Sequence, residues 1–249
     1  MNLGNPVAIG NTAKIYRFEN NIVKLFKEYL PHTESLYEAN KLEFAYLCGL
    51  DVPKIIDVTK INGRQAILME YIEGETIGDL LTNNMELAEH YLNICANVQM
   101  KIHNIVVKSD ILESMSEKLK RQILSGKDLS ELQKNSLLKS LDSMTFESRL
   151  CHGDFHPFNL IMRNDKVTII DWVDASAGDI RADVYRTYLL ISQLSIELAK
   201  MYLNYYCKKS GIPQDEIILW APIIASARLS EHVSTENKDR LKKIINQHC

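Results

Sequence analysis

His152-Gly153-Asp154-Phe155-His156-Pro157-Phe158-Asn159 is followed twelve residues on by Asp171, which closes the run Val167-Thr168-Ile169-Ile170. No other stretch constrains this chain as much. One carboxylate and one carboxamide stand at the two ends of a short loop, and a second carboxylate ends a strand-like segment just behind it. Gly153 and Pro157 oppose a helix through the loop. His152 and His156 therefore lack the shared helical face that zinc ligation at a four-residue spacing needs. Asn159 offers a hard amide oxygen and Asp171 a charged one, a pair suited to Mg²⁺. An aspartate directly after four β-favouring residues is costly in a buried strand unless it meets a cation. The plainer alternatives are a turn aspartate at 154, a turn cap at Asn159 and a strand end at Asp171.

Composition narrows the setting. The chain has 249 residues, 46% hydrophobic and 24% charged, with a net charge of −3. That is the profile of an ordinary globular protein without the basic footprint of a nucleic-acid or anionic-membrane binder. No segment approaches the roughly 18 uninterrupted apolar residues of a membrane span, and Met1-Asn2-Leu3-Gly4-Asn5-Pro6 does not read as a secretory leader. A cytoplasmic protein is expected. The five cysteines, 48, 95, 151, 207 and 249, are scattered and form no C-x-x-C pair, which predicts reduced thiols.

The first seventy residues read as strand-rich. Short β-favouring runs at 7–9, 13–18, 22–26, 55–59 and 64–69 are separated by the turn signals Gly10-Asn11, Glu19-Asn20-Asn21 and Asn62-Gly63. One helix interrupts them over 33–47, where Leu36, Ala39, Leu42, Ala45 and Tyr46 recur at helical steps before Gly49. After a linker at 70–74 the chain is mainly helical, near 76–82, 86–107, 111–124, 130–143, 181–209, 214–230 and 236–247. A strand cluster at 149–151, 160–163 and 167–170 breaks the series, with Asn164-Asp165 as a two-residue hairpin turn.

The loop H-x-D-x-x-x-x-N followed by a metal-binding Asp is also found in protein kinases, but a protein kinase carries Arg at 153 and Asp-Phe-Gly at 171–173. Here the residues are Gly153 and Asp171-Trp172-Val173. This H-G-D-x-x-x-x-N…I-D-W form resembles the aminoglycoside phosphotransferase family and its relatives acting on choline, sugars and amino alcohols. The resemblance implies an α+β, two-lobed, protein-kinase-like fold. A nucleotide-binding lobe would span 1–70, a catalytic and acceptor-binding lobe 71–249, and a hinge about 70–74, with the nucleotide between the lobes. It implies transfer of the γ-phosphate of ATP or GTP to a hydroxyl of a small molecule, with Asp154 as proton acceptor and Asn159 and Asp171 holding Mg²⁺.

Further residues follow from the same likeness. Lys24, in Ile22-Val23-Lys24-Leu25-Phe26, shares a strand face with apolar Ile22 and Phe26, where an ammonium needs an anionic partner. The resemblance makes it the ligand of the α- and β-phosphates, paired with Glu38, while Glu34 and Glu43 compete on the same helix. Gly10 would sit in the phosphate-covering loop, which has one glycine in place of the G-x-G-x-x-G of protein kinases. Met69, Glu70, Tyr71 and Ile72 would present backbone groups to the purine. His103 is read as structural, and Asp183 as an anchor for the catalytic loop, with Arg181 or Arg186 as its partner. A protein substrate is disfavoured, because no Ala-Pro-Glu follows Asp171. A cationic aminoglycoside acceptor would require carboxylates near Asp154, with Asp174, Asp179 and Glu231 as candidates. Residues 175–249 nevertheless hold eight Asp or Glu against ten Lys or Arg. The rival reading is a catalytically inactive, kinase-like nucleotide-binding regulatory module. Retention of Lys24, Asp154, Asn159 and Asp171 argues against it.

Overall fold

A computed structural model describes residues 3–10, 12–108 and 110–248; Asn11 of the first turn and Cys249 lie outside the described residues. The elements run β1 (Ala8–Ile9), β2 (Ala13–Phe18), β3 (Asn21–Phe26), α1 (Glu34–Leu47), β4 (Ile55–Ile61), β5 (Arg64–Glu70), β6 (Glu75–Thr76), α2 (Ile77–Asn83) and α3 (Ala88–His103). They continue as α4 (Met115–Ser125), α5 (Glu131–Ser143), β7 (Arg149–Cys151), β8 (Leu160–Arg163), β9 (Lys166–Ile169) and β10 (Ser176–Gly178). The chain ends in α6 (Ile180–Ile191), α7 (Ile196–Ser210), α8 (Gln214–Ile218), α9 (Ala221–Ser230) and α10 (Lys238–His248). Two compact units result, one of residues 1–80 with 158–173 and one of 81–157 with 174–249. Among the described residues no helix is long and apolar enough to cross a membrane.

The first unit is built on an antiparallel sheet in the order β1-β2-β3-β5-β4. The β2–β3 and β4–β5 hairpins turn on two residues each, because the register pairs Phe18 with Asn21 and Ile61 with Arg64. Asn62 and Gly63 both take positive φ, the conformation whose twist matches the flanking strands. Asn164 and Asp165 do the same between β8 and β9, where Arg163 pairs with Lys166, as expected from the sequence. Tyr16, Val23, Leu25, Ile61 and Ala66 fill one face of the sheet. Phe26 and Ile67 pack with Ala39 of α1 on the other. Strand alternation puts Lys24 on this second face, the side of Phe26 and α1.

Helix α1 differs from the apolar stripe read in its sequence. Its buried face is Ser35, Glu38, Ala39, Lys41, Leu42 and Ala45, while Leu36 and Tyr46 are exposed. Polar partners rotate the helix. Ser35 hydrogen-bonds the Gln65 side chain, Glu38 meets Lys24, and Lys41 donates to the Val173 carbonyl at 2.5 Å.

In the second unit two expected long helices are split. Ser195 caps α7 by accepting from the amides of Glu197 and Leu198, which breaks 181–209 into α6 and α7. Pro222 lies in the first turn of α9, so 214–230 becomes α8 and α9. The expected 86–107 helix shortens to α3, and 111–124 begins only after Ser114. Strands β6 and β10, two and three residues long, are too short to leave a periodic signal.

Candidate active site

In the first unit, a cavity of about 240 Å³ is lined by apolar Ile15, Ile22, Ile161 and Ile170 and by Lys24 and Glu38, with Met69, Glu70, Tyr71, Ile72, Asp171 and Trp172 also contributing. Gly10 stands outside this lining, its amide donating to the Ala13 carbonyl at 2.9 Å in the β1–β2 connection. Lys24 is 7% exposed, and its Nζ lies 2.5 Å from Glu38 Oε1 and 3.1 Å from Asp171 Oδ1. Burial alone would lower its pKa, but the Asp171 and Glu38 carboxylates outweigh that and hold it above the ordinary lysine value. The ammonium is therefore a permanent cation inside an apolar slot.

Asp171 is not buried in a strand as the sequence suggested. β9 ends at Ile169, and Asp171 takes φ +62°, which turns its side chain off the strand line and leaves it 41% exposed. A left-handed non-glycine residue is uncommon and is held here by its neighbours. The Ile170 amide donates to the Asn159 carbonyl at 3.0 Å, and the Trp172 indole donates to the Ile169 carbonyl at 3.2 Å. The pairing of Leu160 with Ile169 carries Asn159, itself buried, to the same end of the β8–β9 hairpin as Asp171. A carboxamide and a carboxylate at one hairpin end offer oxygen donors of the kind a hard cation takes.

The Asp154 loop belongs to the second unit. Gly153 has φ +79°, and a Cβ there would come within 2.4 Å of the Asp174 carbonyl oxygen. Only glycine meets both conditions. Beneath the loop, buried Asp183 accepts from the amides of Gly153 at 2.7 Å and His152 at 3.3 Å. Its Oδ2 also accepts from Gln99 Nε2 at 2.9 Å and from His103 Nε2 at 3.0 Å, while the other His103 nitrogen meets the Tyr206 hydroxyl at 2.6 Å. Burial pushes the Asp183 pKa up, but His103, Gln99 and the Gly153 amide outweigh it and bring it to about 2. The arginines expected to pair with Asp183 go elsewhere. Arg181 holds Asp179 at 2.6 Å and Arg186 holds Glu231 at 2.8 Å, because Asp183 points at backbone amides that already satisfy it.

His103, Cys151 and Asp183 bring potential metal donors within 4.8 Å of one another. His103 and Asp183 are committed to the hydrogen bonds just described, and burial pushes the Cys151 thiol well up, keeping it neutral. His152 is fully buried, and its Nδ1 accepts from the Asp154 amide at 3.3 Å.

The Asp154 carboxylate lies 3.6 Å from His156 Nε2 and 3.8 Å from Arg186 Nη2. Burial raises its pKa, but the neighbouring His156 and the Arg186 charge outweigh this and hold it far below the usual carboxylate range. Lys118 Nζ binds the Asp174 carboxylate at 2.6 Å. Arg228 meets Glu231 at 2.9 Å. The three carboxylates that a polycation would need, Asp174, Asp179 and Glu231, are thus each ion-paired. Lys118 and Arg186 are the site-wall residues that spacing did not reveal. Lys118 sits on a helix with no motif around it, and Arg186 was expected to pair with Asp183.

A family model described as "Phosphotransferase enzyme family" matches residues 4–217. "Protein LicA homolog" of Mycoplasma capricolum subsp. capricolum is 28% identical over 200 residues, covering 79% of this chain and 76% of the relative. In fold, the chain is similar to an aminoglycoside phosphotransferase APH(4)-Ia mutant solved with ADP and hygromycin B (TM-score 0.69, 12% identity, 97% of this chain and 92% of that one). It is also similar to a choline/ethanolamine kinase family protein from Mesorhizobium loti (TM-score 0.64, 12% identity, 98% of this chain and 86% of that one). The α+β, two-lobed, protein-kinase-like fold expected from the loop motif is the fold observed.

Proposed function

Because the chain belongs to the phosphotransferase enzyme family, we propose that it transfers the γ-phosphate of ATP or GTP to a hydroxyl of a small molecule. The observation that carries this reading is Lys24, held between Glu38 and Asp171 in a slot whose remaining walls are mostly apolar. A buried ammonium fixed by two carboxylates is suited to receive phosphate oxygens, and the apolar walls are suited to a purine. At the slot's edge, the Glu70 and Tyr71 amides are committed to the Lys54 and Asn20 carbonyls. The Ile72 amide makes no hydrogen bond among the described residues and is the donor offered to the base.

Asn159 and Asp171 are the residues that would hold Mg²⁺, which when bound neutralises phosphate charge. The chain's own groups do the rest. Lys24 binds the phosphates, and Glu38 keeps its ammonium in place. Asp154 orients the acceptor hydroxyl and takes its proton. A carboxylate of such low pKa is a weak base, so its contribution is alignment, which is what a loose phosphoryl-transfer transition state mainly asks for. The work is assigned to the cytoplasm, where nucleoside triphosphates are abundant. The paired state of Asp174, Asp179 and Glu231 favours a compact acceptor over a polycationic aminoglycoside.

The test is thermal stabilisation by ATP and by GTP with and without Mg²⁺, followed by a phosphate-transfer screen over aminoglycosides, sugars, choline and homoserine. Magnesium-dependent stabilisation with transfer to one acceptor class is the expected result. Stabilisation without turnover on any hydroxyl compound would favour the inactive regulatory module, and no stabilisation at all would remove the nucleotide assignment.

A further inference from the structure

The turn that presents Asp171 is one a non-glycine residue adopts only at a cost. Its φ is +62°, and a left-handed aspartate persists where flanking contacts hold it in place. On the near side, the Ile169 amide donates to the Asp51 carbonyl at 2.8 Å and the Ile170 amide to the Asn159 carbonyl at 3.0 Å. On the far side, the Trp172 indole folds back onto the Ile169 carbonyl, and the Val173 carbonyl accepts from Lys41 Nζ at 2.5 Å. All of these groups belong to the first unit.

Lys41 is an unusual residue to find there. It is 3% exposed, and a lysine is seldom buried so fully, because its charge must be matched where water is excluded. The Val173 carbonyl offers the negative end of a dipole, and the Tyr37 ring, one helical turn earlier, lies 4.3 Å from the ammonium. Glu38 stands three residues before Lys41, so the two share the buried face of α1. From that face Glu38 reaches Asp171 through Lys24, and Lys41 reaches the backbone two residues beyond it. The helix therefore grips the turn twice, once at the side chain and once at the main chain.

We propose that Lys41 is a positioning residue for Asp171: its bond to the Val173 carbonyl holds the left-handed turn that presents the Asp171 carboxylate to Mg²⁺. The proposal rests on the kinase reading above, in which Asp171 holds the metal. Lys41 is not among the residues lining the slot, so it acts through the turn and not on the nucleotide. Charge-assisted hydrogen bonds are the stronger ones, and partners that orient a metal ligand are worth about 10–100-fold in metal affinity. Removal of Lys41 is thus felt in the metal-dependent part of nucleotide binding, whereas removal of Lys24 is felt by the phosphates directly.

Affinity for a non-hydrolysable ATP analogue, measured by calorimetry across a series of Mg²⁺ concentrations, tests this without any turnover. Lys41→Met keeps most of the side chain's length and removes the donor. It is expected to leave metal-free affinity within about twofold and to cut the gain in affinity on adding Mg²⁺ by about tenfold. Lys41→Gln keeps a neutral donor, is expected to cut the gain by about threefold, and keeps the test open where Lys41→Met fails to fold. Ala45→Gly, also on the buried face of α1, loosens the helix without removing a contact to the turn. It should lower the urea midpoint and leave the magnesium gain unchanged. An unaltered gain in the Lys41 variant that folds, a loss equal with and without metal, or the same loss of gain in Ala45→Gly would overturn the proposal and leave Lys41 to helix packing. A native protein without a magnesium gain, or an Asp171→Ala variant that keeps it, would overturn the metal assignment itself, a separate and earlier result.

Discussion

Asp183→Asn isolates the device that holds the Asp154 loop. In the native protein one carboxylate accepts from two backbone amides, Gly153 and His152, and from Gln99 and His103. An asparagine of the same shape keeps one acceptor oxygen and turns an NH₂ toward donors, leaving buried donors unmet at about 1–3 kcal/mol. The titration argument reaches the same size independently. A fall from the ordinary 3.8 to about 2, at about 1.4 kcal/mol for each pH unit, corresponds to roughly 2–3 kcal/mol at neutral pH. Because the folded-state pKa is depressed, this contribution is fully present above the unfolded-state value near 4 and is lost as pH falls through about 2. The two tryptophans make the assay selective, since Trp172 belongs to the first unit and Trp220, fully buried, to the second. In a Trp172→Phe background, Trp220 fluorescence during urea unfolding reports on the unit that holds Asp183. The expected loss for Asp183→Asn is roughly 2–3 kcal/mol at pH 7, shrinking to about half near pH 3. A loss below about 0.5 kcal/mol at pH 7, or a gap that does not close in acid, would refute the anchoring argument.

Asp154→Asn should lower kcat by about two to four orders of magnitude while nucleotide affinity stays within a few fold; near-native turnover in steady-state kinetics would show the acceptor side to be elsewhere. Since Arg186 and His156 hold the Asp154 pKa far down, the native acid limb should not fall at ordinary carboxylate pH, and Arg186→Gln should move it upward. Lys24→Ala is expected to weaken ATP binding yet keep its magnesium requirement, whereas Asp171→Ala should abolish the magnesium-dependent part, both read by calorimetry. Gly153→Ala combines a left-handed backbone with a 2.4 Å approach to the Asp174 carbonyl, so it should cost at least about 1–2 kcal/mol in urea unfolding. A neutral effect there would mean that the loop relaxes freely.

What the sequence made legible was chemistry carried along the chain. The spacing of Asp154, Asn159 and Asp171 lies in one stretch of twenty residues, and strand alternation alone put Lys24 on the face of Phe26. The Asn164-Asp165 turn was readable because two positive-φ residues are what a two-residue hairpin demands. Chemistry carried across the chain was not readable. On α1, Ala39, Leu42 and Ala45 of the expected stripe are buried, but Ser35, Glu38 and Lys41, polar residues that an apolar count discards, share that face while Leu36 and Tyr46 are exposed. The break at Ser195 needed its capping role recognised inside a continuous periodic pattern. The partners of Asp183 come from α3 and from the loop's own amides, and no local signal marks a glutamine and a histidine eighty residues upstream as its acceptor's donors.

That difference bears on specificity. The slot around Lys24 depends on residues whose spacing is visible, and its chemistry, a cation between carboxylates with apolar walls, suits the donor that phosphotransferases share. The wall beside the Asp154 loop is assembled from α4, β10, α6 and α9 together with Asp174 and Glu231, and a charge count over 175–249 leaves out Lys118 and Asp174. The count suggested a mild cationic excess. The structure shows Asp174, Asp179 and Glu231 each matched to a cation. A charge count along the lobe therefore says less about the surroundings of Asp154 than the partner each carboxylate already holds.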